Sequence, residues 1–409
     1  MHIAIIGGGA AGFMAAITAA ESFPGSKVTL LEKSGKVLSK VRISGGGRCN
    51  VTHQPSGPHH FAKSYPRGEK FLKSILSVFG AEDTVKWFET RGVRLKTEPD
   101  GRMFPHTDSS DTIVHCLMES ARKAGVEVRT NISVHAFEEI GGRFRLEIRD
   151  SSPLVADRVI IATGGSPKPE GFDWLAAHRH VIIPPVPSLF TFNTPENYLL
   201  PLAGISVQRA RVSIQNTSLK SDGPLLITHW GFSGPAILRL SSWGARELAA
   251  SDYRFKVRIN WSGDNHFDQV REVFYGLKNS VPKQQLAAHA QFGLPARLWR
   301  LLAEKAGIAG DIRLADTPHK SLNKFATLIT DSTFDVSGKT TFKEEFVTCG
   351  GISLESIDPK TMESKSIKGL FFAGEVIDVD GITGGFNFQN AWSTGFIAGK
   401  HAGASGLHS

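Results

Sequence analysis

The apolar positions near the start of the chain fall into two short runs joined by small residues. Ile3–Ile6 is an unbroken apolar run, as expected for a strand buried on both faces. Alanine-rich sequence follows and suits a buried helix; a second apolar run, Val28–Leu31, then ends at Glu32. Gly7, Gly9 and Gly12 stand between the first run and the helix with the spacing GxGxxG. Strand, glycine turn, helix, strand and acid, with about 20 residues from the last glycine to the acid, make the unit that holds the ADP half of a dinucleotide. Gly7 permits the tight turn, Gly9 lets backbone approach the pyrophosphate, and Gly12 lets helix and strand pack closely. Ala10 and Ala11 open the helix, whose positive end favours an anion. Glu32 suits an adenosine ribose. A secretion signal does not fit, because no basic segment precedes the apolar run and glycines interrupt it.

Residues 34–68 read as a long irregular segment rich in Gly, Ser, Pro and His, the kind of loop that carries function. Helical spacing places Phe71, Leu72, Ile75, Leu76, Phe79, Val85, Trp87 and Phe88 on core-facing helices over 69–91. Ser110 or Asp111 caps a helix running through Lys123. Residues 126–131 are a strand, and a Gly-Gly pair folds 137–150 into a hairpin. Residues 156–165 are a buried strand ending in Thr163, Gly164 and Gly165. After Pro187 the texture changes. Alternating strands fill 188–262, and 263–330 is mostly helical, including QQLAAHAQF and ARLWRLLAEKAG. From about Gly338 the first texture returns as strand, loop and final helix. The expected organisation is a dinucleotide domain in two segments, 1–187 and 341–409, interrupted by a substrate-pocket insert over 188–340.

Bulk composition narrows the class. The 409 residues suffice for two or three domains, and 41% hydrophobic with 21% charged residues fits a globular protein. No run approaches the ~20 apolar residues that span a bilayer. Three cysteines (Cys49, Cys116 and Cys349) without a CxxC pair point to a reducing cytoplasm rather than a disulfide framework. No His/Cys spacing suits zinc, so no metal is expected. The net charge of +8, from 47 basic and 39 acidic residues, suits an anionic cofactor or a polyanionic partner such as RNA. Lys33, Lys36, Lys40, Arg42 and Arg48 lie close together beside the dinucleotide motif and suit phosphate.

Three further glycine-rich segments lie far apart: SGGGRCN (44–50, with Ser44, Gly45, Gly46, Gly47, Arg48 and Cys49), ATGG (162–165, with Thr163 and Gly164) and ITGGFNFQ (382–389); Gly374 lies in FFAGE, which like ATGG follows an apolar strand. In a doubly wound fold, ligands bind beyond the carboxyl ends of the strands. Glu375 or Asp380 suits ribityl hydroxyls. Backbone N–H groups at Gly384, Gly385 and Phe386, with Asn387 beside them, open the last helix and suit the flavin O2. Cys49 next to Arg48 reads as a thiol of lowered pKa and a candidate proton donor; a small residue packed under a flavin accounts for it equally well. His229, in Thr-His-Trp-Gly of the insert, is a second catalytic candidate, and Trp230 reads more readily as core.

The chain resembles the BaiN-like (YhiN-like) flavoproteins, also described as aminoacetone-oxidase-like FAD enzymes, along essentially its whole length. Lys40 with SGGGRCNVT, LLITHWGFSGPAIL (225–238) and AGEVIDVDGITGGFNFQNAWSTG (373–395) carry the resemblance. It implies bound FAD and an α/β fold: a discontinuous, glutathione-reductase-like FAD-binding Rossmann domain with an inserted β-barrel plus helical domain. His53 departs from the family's usual Asn. A second GxGxxG is absent, so NADH or NADPH is expected only as a transient electron donor. The resemblance further implies hydride transfer to an activated C=C, either in a steroid enone or in uracil of ribosomal RNA. The charge favours RNA, giving a ribosomal RNA dihydrouridine synthase as the specific expectation. A small-molecule reductase, an amine oxidase and a non-catalytic flavin- or RNA-binding protein are the alternatives. The oligomeric state is not encoded legibly.

Overall fold

A computed structural model describes residues 1–341 and 347–404. The chain divides into two compact units, Met1–Ser188 with Phe342–Ser409, and Leu189–Thr341.

The first unit is built on a five-stranded parallel sheet. Its strands are β1 (His2–Ile6), β2 (Lys27–Leu31), β3 (Glu127–Arg129), β4 (Arg158–Ile161) and, near the chain's far end, β7 (Leu370–Phe372), in the order β7-β4-β1-β2-β3. Ile5 lies opposite Leu30 on one side and Ile160 on the other, and Ile161 opposite Phe372. Strands β1, β2, β4 and β7 are buried along nearly their whole length, which is why they read as apolar runs rather than alternating ones, whereas β3 at the edge is largely exposed. Helix α1 (Ala10–Ser22) follows β1 and packs on α3 (Phe386–Ala402), the last helix. Both helices are lined by small residues. A Cβ on Gly395 would lie 2.6 Å from the Ala11 carbonyl oxygen, and one on Gly399 would overlap the Ala15 carbonyl. Only glycine there permits so close a crossing. Strand β5 (Ile182–Ser188) leaves this unit and β6 (Val347–Ile352) returns to it, the two paired antiparallel from Ile182↔Ile352 to Ser188↔Val347.

Most expected elements form, with local differences. The helix ending at Lys123 starts at Ser110, and Ser109 is its cap, accepting from the Asp111 N–H at 3.3 Å. The segment 34–68 is not wholly irregular. It holds α2 (Ser39–Gly47) and a short helix, Pro58–Ala62. In the second unit, QQLAAHAQF contains one 3₁₀ turn, Leu286–Ala288, and not a helix, while Ala296–Lys305 is helical.

The second unit holds a seven-stranded antiparallel sheet and a group of helices. Its two edge strands, Ser332–Ser337 and Lys339–Thr340, are consecutive in the chain and separated only by Gly338. Gly338 (φ +99) donates to the Tyr253 carbonyl and accepts from the Asn193 N–H. The sheet therefore curls until its edges meet, in the manner of a barrel. Phe232, Trp261, Phe334 and, among the helices, Trp299 and Phe325 fill its core.

Candidate active site

The carboxyl ends of β1, β2, β4 and β7 meet at the amino end of α1. Gly7 (φ +116) closes the first turn with its N–H on the Leu31 carbonyl, 2.8 Å away. A Cβ on Gly7 would overlap the Ala162 carbonyl, and one on Gly12 would overlap the Gly7 carbonyl. A Cβ on Gly9, by contrast, has nothing within 4 Å. Two glycines are thus demanded by protein packing, and the third leaves open space. Among the described residues no side chain caps α1. Its first-turn N–H groups face that space with the positive end of the helix dipole behind them. The Glu32 carboxylate, at the tip of β2, accepts from the N–H groups of Gly8 and Ser34, each at 2.8 Å. Lys33 beside it is exposed.

A second carboxylate ties the other strand ends together. Glu375, after β7, accepts from Lys40 Nζ at 2.7 Å through one oxygen and from the Thr348 N–H at 2.8 Å through the other. The Thr163-Gly164 turn after β4 lies against it: a Cβ on Gly164 would be 4.0 Å from its Oε2. Gly374 (φ +76) packs on Ala11. Helix α2 breaks at Ser44, and Gly45, Gly46 and Gly47 all have positive φ. No atom lies within 4 Å of a Cβ placed on Gly46 or Gly47, so this backbone is bare. Successive N–H groups in such a conformation make an anion-binding concavity.

Several assigned roles are corrected. Cys49 is fully buried, at φ +61, and burial pushes its thiol pKa up to about 12. Arg48 does not lower it. The Arg48 guanidinium bonds Glu98 at 2.6 Å and lies 4.0 Å above the Phe104 ring. Its full burial favours the other reading of Cys49, a small residue packed beneath the site. Asp380 is also fully buried. It is gripped by both nitrogens of an Arg67 fork and by Ser188 Oγ at 2.6 Å, so it offers nothing to a ribityl chain. The Asn387 side chain is occupied in both directions by the Gly381 peptide, at 2.8 and 2.9 Å. The Gly385 N–H is held by the Asn50 side chain at 2.9 Å, and Phe386 is packed among His53, Phe61 and Tyr65. Asn50, Thr348 and Arg67 were not singled out from the sequence. Asn50 lies inside the GRCN motif, but Arg67 carries no local signal.

His53 sits at this end of α3. Its Nδ1 is 3.1 Å from the Gly384 carbonyl oxygen, and its ring stacks on Phe386 with centroids 4.8 Å apart. A carbonyl only accepts, so Nδ1 carries the proton. Burial lowers the His53 pKa. His229 belongs to the second unit, where it is exposed at the turn between Lys220–Thr228 and Gly231–Ser233. Trp230 beside it is half-buried, and its Nε1 donates to Thr191 Oγ1 at 3.0 Å.

This donor set fits an adenine dinucleotide. The fit rests on a helix end without a cap, a bare glycine backbone, open space at Gly9 and a carboxylate at the tip of β2. Fold and site define the class: the protein is an FAD-dependent oxidoreductase of the Rossmann type. Residues 1–401 match the family described as HI0933-like protein Rossmann domain, and the chain belongs to that family. It is 31% identical to the Haemophilus influenzae ribosomal RNA dihydrouridine synthase over 405 residues, covering 96% of each chain. It is 27% identical to the 3-dehydro-bile acid delta(4,6)-reductase of Clostridium scindens over 409 residues, covering 98% of each. Among solved structures it resembles the fumarate reductase subunit FrdA of E. coli (TM-score 0.51, 16% identity, 98% of this chain and 70% of that one). It also resembles a 3-ketosteroid-delta4-(5alpha)-dehydrogenase from Rhodococcus jostii (TM-score 0.50, 14% identity, 97% and 96%). These two likenesses concern the fold alone. No helix among the described residues is long and apolar enough to cross a membrane.

Proposed function

We propose that this oxidoreductase, with NADH or NADPH as transient donor, reduces an activated C=C, and that its substrate is uridine in ribosomal RNA. The observation that carries the RNA reading is the distribution of charge. The second unit holds 18 Lys and Arg against 12 Asp and Glu, so it carries +6 of the chain's +8 on 153 residues. A net positive surplus on the unit expected to shape the substrate pocket suits a phosphate backbone. Relatives named ribosomal RNA dihydrouridine synthase, from H. influenzae and E. coli, add support at 31% and 30% identity.

When bound, FAD supplies a two-electron hydride donor. The chain's own residues bind and orient it. The first turn of α1 and the bare Gly46–Gly47 backbone take its phosphates, Glu32 its adenosine ribose, and Lys40 with Glu375 its ribityl side. The Lys40 ammonium places a proton-bearing cation, half exposed, at the same strand ends. The His53 Nδ1–H donates to the Gly384 carbonyl and fixes the glycine turn before α3.

The test is nucleoside mass spectrometry of ribosomal RNA from a strain lacking the protein. Loss of one dihydrouridine is expected. An unchanged profile overturns the RNA reading. The reading it would then favour is a small-molecule enone reductase, for which the bile-acid reductase relative speaks. Activity on RNA is further expected to fall steeply from low to moderate salt, which a neutral small substrate would not show.

A further inference from the structure

We infer that the second unit carries a stacking platform for single-stranded nucleic acid, centred on Trp243. The inference rests on the RNA reading above and adds a specific place to it.

Trp243 ends the helix Pro235–Trp243, and 48% of its surface is exposed. The six other tryptophans (Trp87, Trp174, Trp230, Trp261, Trp299 and Trp392) are buried or half-buried. A second helix, Ala245–Ala250, follows after Gly244 alone. The Gly244 N–H closes the first helix on the Leu240 carbonyl at 3.0 Å, and the Gly244 carbonyl opens the second by accepting from the Leu248 N–H at 2.8 Å; Gly244, at φ −87 and ψ 7, caps both. Arg239 and Trp243 lie one turn apart on the same face of the first helix, and Arg246 stands in the first turn of the second. The end of one helix and the start of the next thus carry arginine, indole and arginine. Arg246 is exposed. The Arg239 guanidinium donates to the Asp222 backbone carbonyl, a neutral partner that leaves its charge in place. The turn before Lys220–Thr228 packs against the junction, with Leu219 Cδ1 2.7 Å from where a Cβ on Gly244 would stand. This brings the exposed Lys220 to the rim. Glu247 is the carboxylate of this stretch.

An exposed indole costs solubility and does nothing for this core, whose aromatic residues lie elsewhere. A flat ring between cations is what an unstacked base with its flanking phosphates fits: the base stacks on the ring and the phosphates meet the guanidinium groups. The surplus of positive charge on the same unit supplies the complementary field. A duplex, whose bases are already stacked, gains only the charge.

The test titrates the full-length, FAD-loaded protein and its Trp243→Ala and Trp243→Phe variants with a short oligouridine, an RNA duplex of equal length and heparin. Tryptophan emission and anisotropy report binding, and thermal melting checks the fold. Oligouridine is expected to quench wild-type emission. Trp243→Ala should weaken its binding by about tenfold or more with unchanged melting, and Trp243→Phe should keep most of the affinity. Equal oligouridine affinity for wild type and Trp243→Ala overturns the platform while leaving the RNA reading intact. Heparin bound as tightly as oligouridine, with no effect of Trp243, also overturns it and points to an acidic protein. No binding of any RNA overturns the platform, and an unchanged dihydrouridine profile in the deletion strain would separately overturn the RNA reading.

Discussion

Lys40 Nζ and Glu375 Oε2 meet at 2.7 Å although 335 residues separate them in the chain. The contact fastens α2 to the tip of β7, and Glu375 reaches on to the Thr348 N–H. Half exposed, the ion pair itself contributes only ~0–1 kcal/mol to stability. Lys40→Met is therefore expected to leave the melting temperature of the FAD-free protein nearly unchanged. It should weaken FAD retention by about tenfold, a change of ~1.4 kcal/mol. Flavin fluorescence on dilution measures this, and unchanged retention would remove Lys40 from the site.

Gly9 and Gly12 separate binding from folding. Gly12→Ala forces a methyl into the Gly7 carbonyl and should destabilise the protein by about 1–3 kcal/mol or more, read by denaturant melts. Gly9→Ala meets no protein atom. It should fold as well as wild type without FAD and yet bind FAD poorly. If Gly9→Ala binds FAD normally, the pyrophosphate does not lie on α1.

Cys49→Ala should retain FAD and reoxidise in a single turnover within a few-fold of wild type, because the thiol is sealed and neutral. In the native state, a thiol reagent should label Cys116 ahead of Cys49 and Cys349, which are buried. Rapid labelling of Cys49 before unfolding would contradict its burial.

Asp380→Asn leaves the Arg67 guanidinium buried beside a neutral group. Removing one partner of such a pair costs about 3–5 kcal/mol. The Asp380–Ser188 bond also touches the residue where the chain leaves the first unit. A large loss in melting temperature is expected, and a loss confined to activity would return Asp380 to the ligand site.

Burial lowers the pKa values of His2, His53, His178, His180 and His401. Each ring binds a proton more weakly in the folded than in the unfolded chain. Their contribution to stability is therefore full above the unfolded value of 6.5 and is lost as pH falls below it toward the lowered folded values. Melting temperature should drop from pH 7.5 to pH 5.5, and His53→Asn should make the slope shallower. A flat profile would show that these rings are not held neutral by burial.

The parallel sheet and its first helix were legible because their signals are local: apolar runs, glycine spacing and an acid at a fixed offset. Helix α2 was not. Its N-cap is Leu38 at φ +57 with no capping side chain, and its far end dissolves into glycines. Arg48 and Cys49 are neighbours in sequence, but the backbone turns between φ −97 and φ +61, and the two side chains part. Asp380 looked like a free loop carboxylate because its partner, Arg67, lies 313 residues away. Periodicity reports which face a residue takes and is silent about such distant partners.

The crossing of α1 and α3 at Gly395 and Gly399 bears on how the protein is made. Residues 10–22 leave the ribosome long before residues 386–402, which bring the surface that covers them. Throughout most of synthesis the nucleotide half of the molecule must wait incomplete, its alanine face open to chaperones, while the intervening unit has all its own strands in hand and is free to fold first.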